Sequence, residues 1–364
     1  MNPMPLLTAL VASYARLSNL KRQRQNTLLG IALTVILGSI PWHQVQALTP
    51  SFGSGLSHGF VPQKLTQVNT AVSTPAMVFK SIQHVQPFEG PTGQMAFIIA
   101  VEMAQEGRLN QALTPATQAT RLLPRHADAW ALKGDIHRAT DQHQEAIQAY
   151  EHWSKLEPKN LEAQSRLASA YLTIYDTLNA LKTLQPFDTP AHAKNYDLLS
   201  LLGVIYTEHG ALKDAERVSL QELALVKSLP ETTKQHQQYK TLLLAEAHNN
   251  LAYVYANQKA FNKALPLIET SLKLNPESEA ALDTYGYILA GLGKHKEAVL
   301  YYTQAIKRNG TLPEIFHHRA QSLYTLKELS ASETDYQYVL TVYPTYAKTH
   351  GVLQEYQARF KPKQ

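Results

Sequence analysis

Apolar residues in the second half of this 364-residue chain return in a fixed frame. Over residues 245–344 large, small and helix-breaking residues recur every 34 positions. Leu251, Tyr285 and Arg319 share position 7 of that frame, and Ala252, Gly286 and Ala320 share position 8. Tyr255, Leu289 and Leu323 follow at 11, Ala264, Ala298 and Ser332 at 20, and Ile268, Tyr302 and Tyr336 at 24. Ser271, Ala305 and Val339 stand at 27, and Pro276, Gly310 and Pro344 at 32. Within each half of the unit the bulky positions share one face of a helix. Small residues at 8 and 20 let two antiparallel helices cross closely, while bulky ones at 4, 7, 11, 17 and 24 fill the space around the crossing. Pro or Gly at 32 ends the second helix. One such pair cannot bury its apolar stripe alone, so the units must stack.

The frame extends toward the N-terminus. A first unit begins near Gly93, with Ile99, Ala100, Met103, Gly107, Ala112 and Pro124 in register. A second starts at Ala127 and carries Trp130, Gly134, Ala146, Tyr150 and Pro158. Lys133 departs from the apolar position 7 there, and Leu132 can take its place by a small rotation. The third has Leu167, Ala168, Tyr171 and Ala180, and Pro186 predicts that its second helix is cut short. The fourth carries Leu202, Gly203, Tyr206, Gly210 and Ala215, but the next equivalent alanine, Ala264, lies 49 residues on. The extension over residues 216–245 predicts two helices, each lengthened by about two turns. Residues 345–360 read as a capping helix with Tyr346, Val352, Leu353, Tyr356 and Phe360 on its apolar face, followed by Lys361 and Lys363.

A period of 34 with these residues at these offsets resembles the tetratricopeptide repeat. The resemblance spans residues 93–346 and implies an all-α fold, a right-handed superhelical solenoid of about seven helix-turn-helix repeats, with residues 347–364 as cap and basic tail. It also implies where a ligand binds, on the concave face through first-helix positions 2, 5, 9, 12 and 13. Carried onto this chain, those positions hold Glu246, Asn249, Tyr253 and Asn257, then Asp283 and Tyr287, then Glu314, His317, Gln321 and Tyr324. Asn249, Tyr253, Asn257, Asp283, Tyr287, His317, Gln321 and Tyr324 are the candidate partner-binding residues. Tyrosine and asparagine at successive turns give rigid apolar area with hydrogen-bonding tips, which suits a protein or peptide ligand. The segment Ala247-His248-Asn249-Asn250-Leu251-Ala252 after the extension resembles the longer repeats of kinesin light chains, a family that binds protein cargo. A carboxylate clamp of the kind that grips chaperone C-termini is not expected. Its basic and asparagine positions are occupied here by Asn249, Tyr253, Thr284, Glu314 and His318.

Charge changes the picture of the partner. The formal charge is +5, but six of the 34 lysines and arginines precede Glu89 and none of the 29 acids does, leaving 28 bases against 29 acids in the repeat body. A nearly neutral body argues against a nucleic-acid solenoid. The chain has no cysteine, which rules out disulfides, thiolate metal sites and a lipoprotein anchor.

The N-terminus is a basic lead with an amphipathic stripe over residues 5–25 that ends in Lys21, Arg22 and Arg24. An uncharged apolar run over residues 28–40 follows, then Pro41 and the small-residue triplet Val45-Gln46-Ala47. That order makes residues 1–47 an export signal cleaved after Ala47, or an uncleaved membrane anchor acting through residues 5–40. A transit peptide accounts for the missing acids but not for the compact apolar run. Residues 48–92 turn to Ser, Gly, Pro and Gln and read as a flexible linker, the alternative being a partner-binding arm through Val78, Phe79, Ile82, Val85 and Phe88.

No Gly-rich phosphate loop, zinc-protease helix motif or serine nucleophile elbow is present, so the chain reads as a non-enzyme without a cofactor. The 15 histidines raise a second idea. His137, His143, His248 and His295 sit at packing positions of the frame, but His126, Asp128, Asp135 and His137 crowd one repeat and suggest a divalent site of manganese type. The leading expectation is an exported scaffold, in a periplasm or thylakoid lumen, that holds a protein for assembly or maturation of a membrane complex, photosynthetic if the source is cyanobacterial. Exported repeat proteins of this size include assembly factors, one of them for photosystem II. Metal delivery and a scaffold in polysaccharide or protein secretion are the alternatives.

Overall fold

A computed structural model describes residues 92–308 and 311–361, all within one compact unit. Among the described residues every regular element is helical. The first repeat pairs α1 (Gly93–Gln105) with α2 (Leu109–Leu122), the second α3 (Ala127–Ala139) with α4 (His143–Leu156), and the third α5 (Leu161–Thr173) with α6 (Thr177–Leu184). The fourth pairs α7 (Tyr196–Glu208) with α8 (Leu212–Ser228), and the fifth α9 (Lys234–Asn257) with α10 (Phe261–Leu274). The sixth holds α11 (Glu279–Gly291) and α12 (His295–Arg308), the seventh α13 (Pro313–Thr325) and α14 (Leu329–Val342), and α15 (Pro344–Thr349) and α16 (Val352–Phe360) close the stack. This is the all-helical repeat arrangement that the 34-residue frame predicts.

Local sequence explains the regularity. Six of the seven first helices begin on side-chain caps, with Thr92, His126, Asn160, Asn195, Thr233 and Ser278 each accepting from an N–H of the opening turn, and α13 begins on Pro313 instead. Each repeat then turns at position 15, where Gly107, Asp141, Tyr175, Gly210, Lys259, Gly293 and Lys327 have φ between 59° and 83°. The N–H of position 16 returns to the carbonyl of position 11 in all seven, from Arg108 to Met103 through Glu328 to Leu323, at 2.8–3.0 Å. That bond is the signature of a helix closed by a left-handed residue, so the turn is set by backbone geometry and tolerates varied side chains.

The crossing positions behave as the frame requires. Ala100, Ala168, Ala252 and Ala320 at position 8 are fully buried, as are Ala112, Ala180, Ala215, Ala264, Ala298 and Ser332 at position 20. At two of the three glycines at position 8 a tyrosine at 24 lies on the glycine: a Cβ on Gly134 would stand 2.4 Å from the Tyr150 ring and one on Gly286 2.5 Å from Tyr302, whereas Gly203 faces Ser219. The two charged residues at position 7 are answered locally. Lys133 lies over the Trp130 ring, and Arg319 donates twice to the buried Asp335 at 2.8 Å.

Two expectations need adjustment. The extension is unequal: α8 has 17 residues against 14 in α10, whereas α9 has 24 against 13 in α11, so the first helix of the fifth repeat takes most of it. The cap is two helices rather than one, because Gly351 adopts φ 64° between α15 and α16, and Leu353 is exposed. Pro186 does shorten α6 to 8 residues, and 3₁₀ turns at Gln185–Phe187 and Pro190–His192 carry the chain onward. No helix among the described residues is long and apolar enough to cross a membrane. The export or anchor segment and residues 48–91 of the linker lie outside the described residues.

Candidate binding groove

The first helices of the last four repeats bring most of the candidate residues to one place. On α9, Tyr253 donates its hydroxyl to Glu208 Oε1 of α7 at 2.7 Å, and Asn257 Nδ2 donates to the Tyr253 carbonyl at 2.9 Å. Asp283 of α11 accepts from His318 Nδ1 of α13 at 3.1 Å. The Tyr287 ring lies 5.1 Å from that imidazole, and Lys259 donates to the Tyr287 hydroxyl at 2.9 Å. Asn249 is 8% exposed, and its Oδ1 has no hydrogen-bond partner. A cleft of about 310 Å³ opens beside Tyr287 and His318, bounded by Lys259, Gln321 and Arg359.

Enclosure sets the electrostatics. Burial pushes the Glu314 carboxyl up to about 7, with Asp283 adding to the rise and His318 opposing it. Burial likewise raises Glu208 against the hydrogen bond from Tyr253, and it raises the Tyr253 hydroxyl well above its ordinary value, reinforced by Glu208. For His318 burial works against the charged ring, but Asp283, then Glu314 and Glu208, hold its pKa above the ordinary value. Glu208, Asp283 and Glu314 thus surround His318 on this face.

The remaining three candidates lie under the chain's own C-terminus. His317 Nε2 donates to Glu355 of α16 at 2.6 Å, Gln321 Nε2 donates to the same carboxylate at 3.2 Å, and His317 Nδ1 lies 3.1 Å from the Tyr346 hydroxyl. Partial burial opposes ionisation of Glu355, but the bond from His317 and the contacts of Gln321 and Arg359 take its pKa down to about 2. Tyr324 is covered by the Phe360 ring, edge-on at 5.5 Å, and by Arg359. On the other side of the cap, Tyr175 of the third repeat meets Tyr346 at 5.3 Å and His350 at 5.1 Å. Glu208, His318, Glu355, Tyr346 and Tyr175 stand outside the candidates that the sequence offers for the site. Glu208 was findable, since it occupies position 13 of the fourth repeat.

The suggested metal residues each have other work. His126 caps α3 by accepting from Ala129 N and packs at 4.9 Å on Phe97. Asp135 accepts from the Tyr150 hydroxyl at 2.6 Å and from Arg166. Buried His137 lies 2.6 Å from Gln142 Oε1. Asp128 opens the first turn of α3. Among the described residues no three His, Asp or Glu side chains converge as metal ligands would.

Comparison with known proteins agrees with this architecture. Models of the tetratricopeptide repeat match residues 103–160, 245–278 and 280–311. Among curated proteins, the peroxisomal targeting signal receptor of Saccharomyces cerevisiae is 25% identical over 208 residues, 56% of this chain and 32% of the receptor. The receptor of the same name from Candida albicans is 23% identical over 235 residues, 64% of this chain and 38% of the receptor. The chain thus spans about a third of the length of the curated relatives it matches. The crystal structure of a tetratricopeptide repeat protein from Parabacteroides merdae superposes with a TM-score of 0.57 at 15% identity, over 74% of this chain and the whole of that one, which shows a shared fold.

Proposed function

The chain belongs to the tetratricopeptide repeat family, and on that premise we propose that it is a non-catalytic interaction scaffold holding an extended segment of a protein partner in the groove of repeats four to seven. The observation that carries this reading is the convergence of Tyr253, Asn257, Asp283 and Tyr287, from two adjacent first helices, on one enclosed face with Glu208 and His318. Rigid tyrosines offer contact area at low entropic cost, and the amides and carboxylates among them can accept and donate along a peptide backbone. The curated relatives are named as receptors for a targeting signal, and reading a short segment of a client is the same kind of task. The basic lead, the apolar run and the Val45-Gln46-Ala47 triplet support placing that task outside the cytoplasm, at a membrane surface, in the assembly or maturation of a membrane complex.

Location and client can be read in one experiment. The full chain, tagged at its C-terminus, is produced in a bacterial host, the cells are fractionated, and proteins retained from the envelope are identified beside those retained by a Tyr287→Ala, Asn257→Ala variant. The expected result is recovery in the envelope fraction, with a membrane protein held by the wild type and lost from the variant at unchanged melting temperature. Recovery in the cytoplasm sinks the export reading, and a client held equally by both proteins sinks the groove reading.

A further inference from the structure

We infer that the groove selects its segment by charge, taking a lysine or arginine side chain of the protein partner; this deepens, and rests on, the groove reading above. The first observation is one of placement. At positions 2, 5, 9, 12 and 13, repeats three to seven carry Glu162, Asp197, Glu208, Glu246, Asp283 and Glu314, and neither lysine nor arginine. The repeat body as a whole is balanced in charge, so its bases stand at other positions of the frame, and Lys259 and Arg359 reach the cleft from the turn after α9 and from the cap.

Neighbouring cations are few and engaged. Arg166, at position 6, holds Asp135 and Glu162. Lys259 comes from the turn after α9 and is bonded to Tyr287, Arg359 lies 4.7 Å from the Tyr324 ring centre, and His318 answers Asp283. Glu208 accepts a hydrogen bond from the Tyr253 hydroxyl and otherwise meets the charge of His318 at a distance.

The second observation points to what is missing. Glu314 Oε2 is enclosed and bonded to nothing. Asn249, more than nine-tenths buried and one helical turn before Tyr253 in α9, also has an oxygen without a donor. A buried acceptor left without a donor costs about 1–3 kcal/mol. Among the described residues of the groove two buried acceptors on the first helices lack donors, while the one buried nitrogen without a partner, Arg359 Nη1, belongs to the cap.

A bare divalent ion is a poor complement, because among the described residues no three carboxylates and imidazoles stand close enough to share one ion. A guanidinium or ammonium on a flexible stem can span separate acceptors with several N–H donors. The segment's own backbone N–H suits Asn249. Tyr253 and Tyr287 supply walls for the aliphatic stem and faces for the cation.

The test is fluorescence anisotropy of the full chain with four labelled dodecapeptides of Gly, Ser and Leu that differ only at a central pair: lysine, arginine, norleucine or glutamate. The lysine or arginine peptide should bind about tenfold tighter than the norleucine peptide, and the glutamate peptide weakest. Glu208→Gln with Asp283→Asn should erase that preference, and Glu314→Gln alone, a smaller change, should reduce it. Tyr287→Ala should weaken all the bound peptides alike. Equal binding of lysine and norleucine peptides, or preference for glutamate, overturns the charge reading while leaving the groove reading intact if Tyr287→Ala still weakens them. Failure of every peptide to bind also overturns it, and the envelope capture then decides the groove reading separately. If Lys64→Gln with Lys80→Gln tightens peptide binding about tenfold, the occupant is the chain's own basic arm and the assignment to a partner falls.

Discussion

The sixth repeat and the junction of the fourth and fifth fill the same kind of gap with opposite materials. In the sixth, Gly286 lies under the Tyr302 ring, and the surrounding Leu282, Leu289, Ala298, Ala305, Leu312 and Ile315 form an apolar cluster. At the junction, Leu223, Val226, Leu243, Ala247 and Leu251 make a comparable cluster, but beside it Glu222 is completely buried. Glu222 occupies position 27, which Ala119, Ser271, Ala305 and Val339 fill elsewhere. Its carboxylate accepts from Asn250 Nδ2 at 3.0 Å, and that amide also donates to Ser200 at 3.1 Å. A helix pair in register can be sealed by size alone, whereas this longer pair closes on a polar network that holds only while its members stay matched.

The largest expected consequence of that contrast is in pH dependence. Burial, reinforced by Glu246, pushes the Glu222 carboxyl up to about 8. Burial also raises Glu246 to about 8, with Tyr196 opposing and Asp197 adding. In the unfolded chain both ionise near the ordinary 4.5, so between these limits the fold binds more protons than the unfolded chain. Their stabilising contribution is whole below about 4.5 and is lost as pH rises to about 8. Glu222→Gln keeps the shape and never ionises. It should leave stability at pH 4.5 nearly unchanged and raise it by a few kcal/mol relative to the wild type at pH 8. Urea unfolding of both proteins across this range is the measurement, and parallel losses in the two would remove Glu222 as the source.

The apolar side of the contrast breaks by volume. Gly286→Ala forces a methyl group against the Tyr302 ring and should cost about 1–3 kcal/mol. The fifth repeat shows the compensating pair, Ala252 with Ile268, both fully buried. Tyr302→Ile should therefore recover part of the loss when combined with Gly286→Ala, although alone it leaves a cavity. In the seventh repeat Ala320 does coexist with a tyrosine, Tyr336, whose ring leans on Tyr356 and Phe360 of the cap. A double-mutant cycle on melting temperature separates the cases: simple additivity of the two changes would mean that the ring and the glycine are not fitted to each other.

The same two regions mark how far the sequence could be read. Positions 8, 20 and 24 are legible because each reports a contact inside one repeat, and the burial of Ala252, Ala264 and Ile268 follows from their spacing. Asn249, Tyr253, Asp283 and Tyr287 are legible for a related reason, since a groove-facing register is repeated from unit to unit. Glu222 and Asn250 are not, because they lie next to the extension, where the register stops predicting neighbours. The return of Glu355 over His317 and Gln321 depends on the break at Gly351, which has no period to reveal it. The meeting of Tyr175 with the cap depends on a superhelical rotation accumulated over four repeats, a quantity that pairwise packing patterns do not encode.

Tyr175 also provides the smallest and most discriminating test. It occupies the left-handed turn position that Gly107, Gly210 and Gly293 take in other repeats, and so does exposed Asp141. A side chain there carries a backbone cost of up to about 1 kcal/mol that glycine avoids. Asp141→Gly should therefore raise stability by roughly 0.5–1 kcal/mol. Tyr175→Gly relieves the same cost but removes the edge contacts with Tyr346 and His350, each aromatic pair being worth about 0.5–1.5 kcal/mol. The two effects oppose each other, so this variant should be neutral or less stable. The difference between the two substitutions, read from urea midpoints, measures how firmly the cap is held to the third repeat. An equal gain from both would mean that the tyrosine ring contributes nothing to that closure, and that the cap is held by the seventh repeat alone.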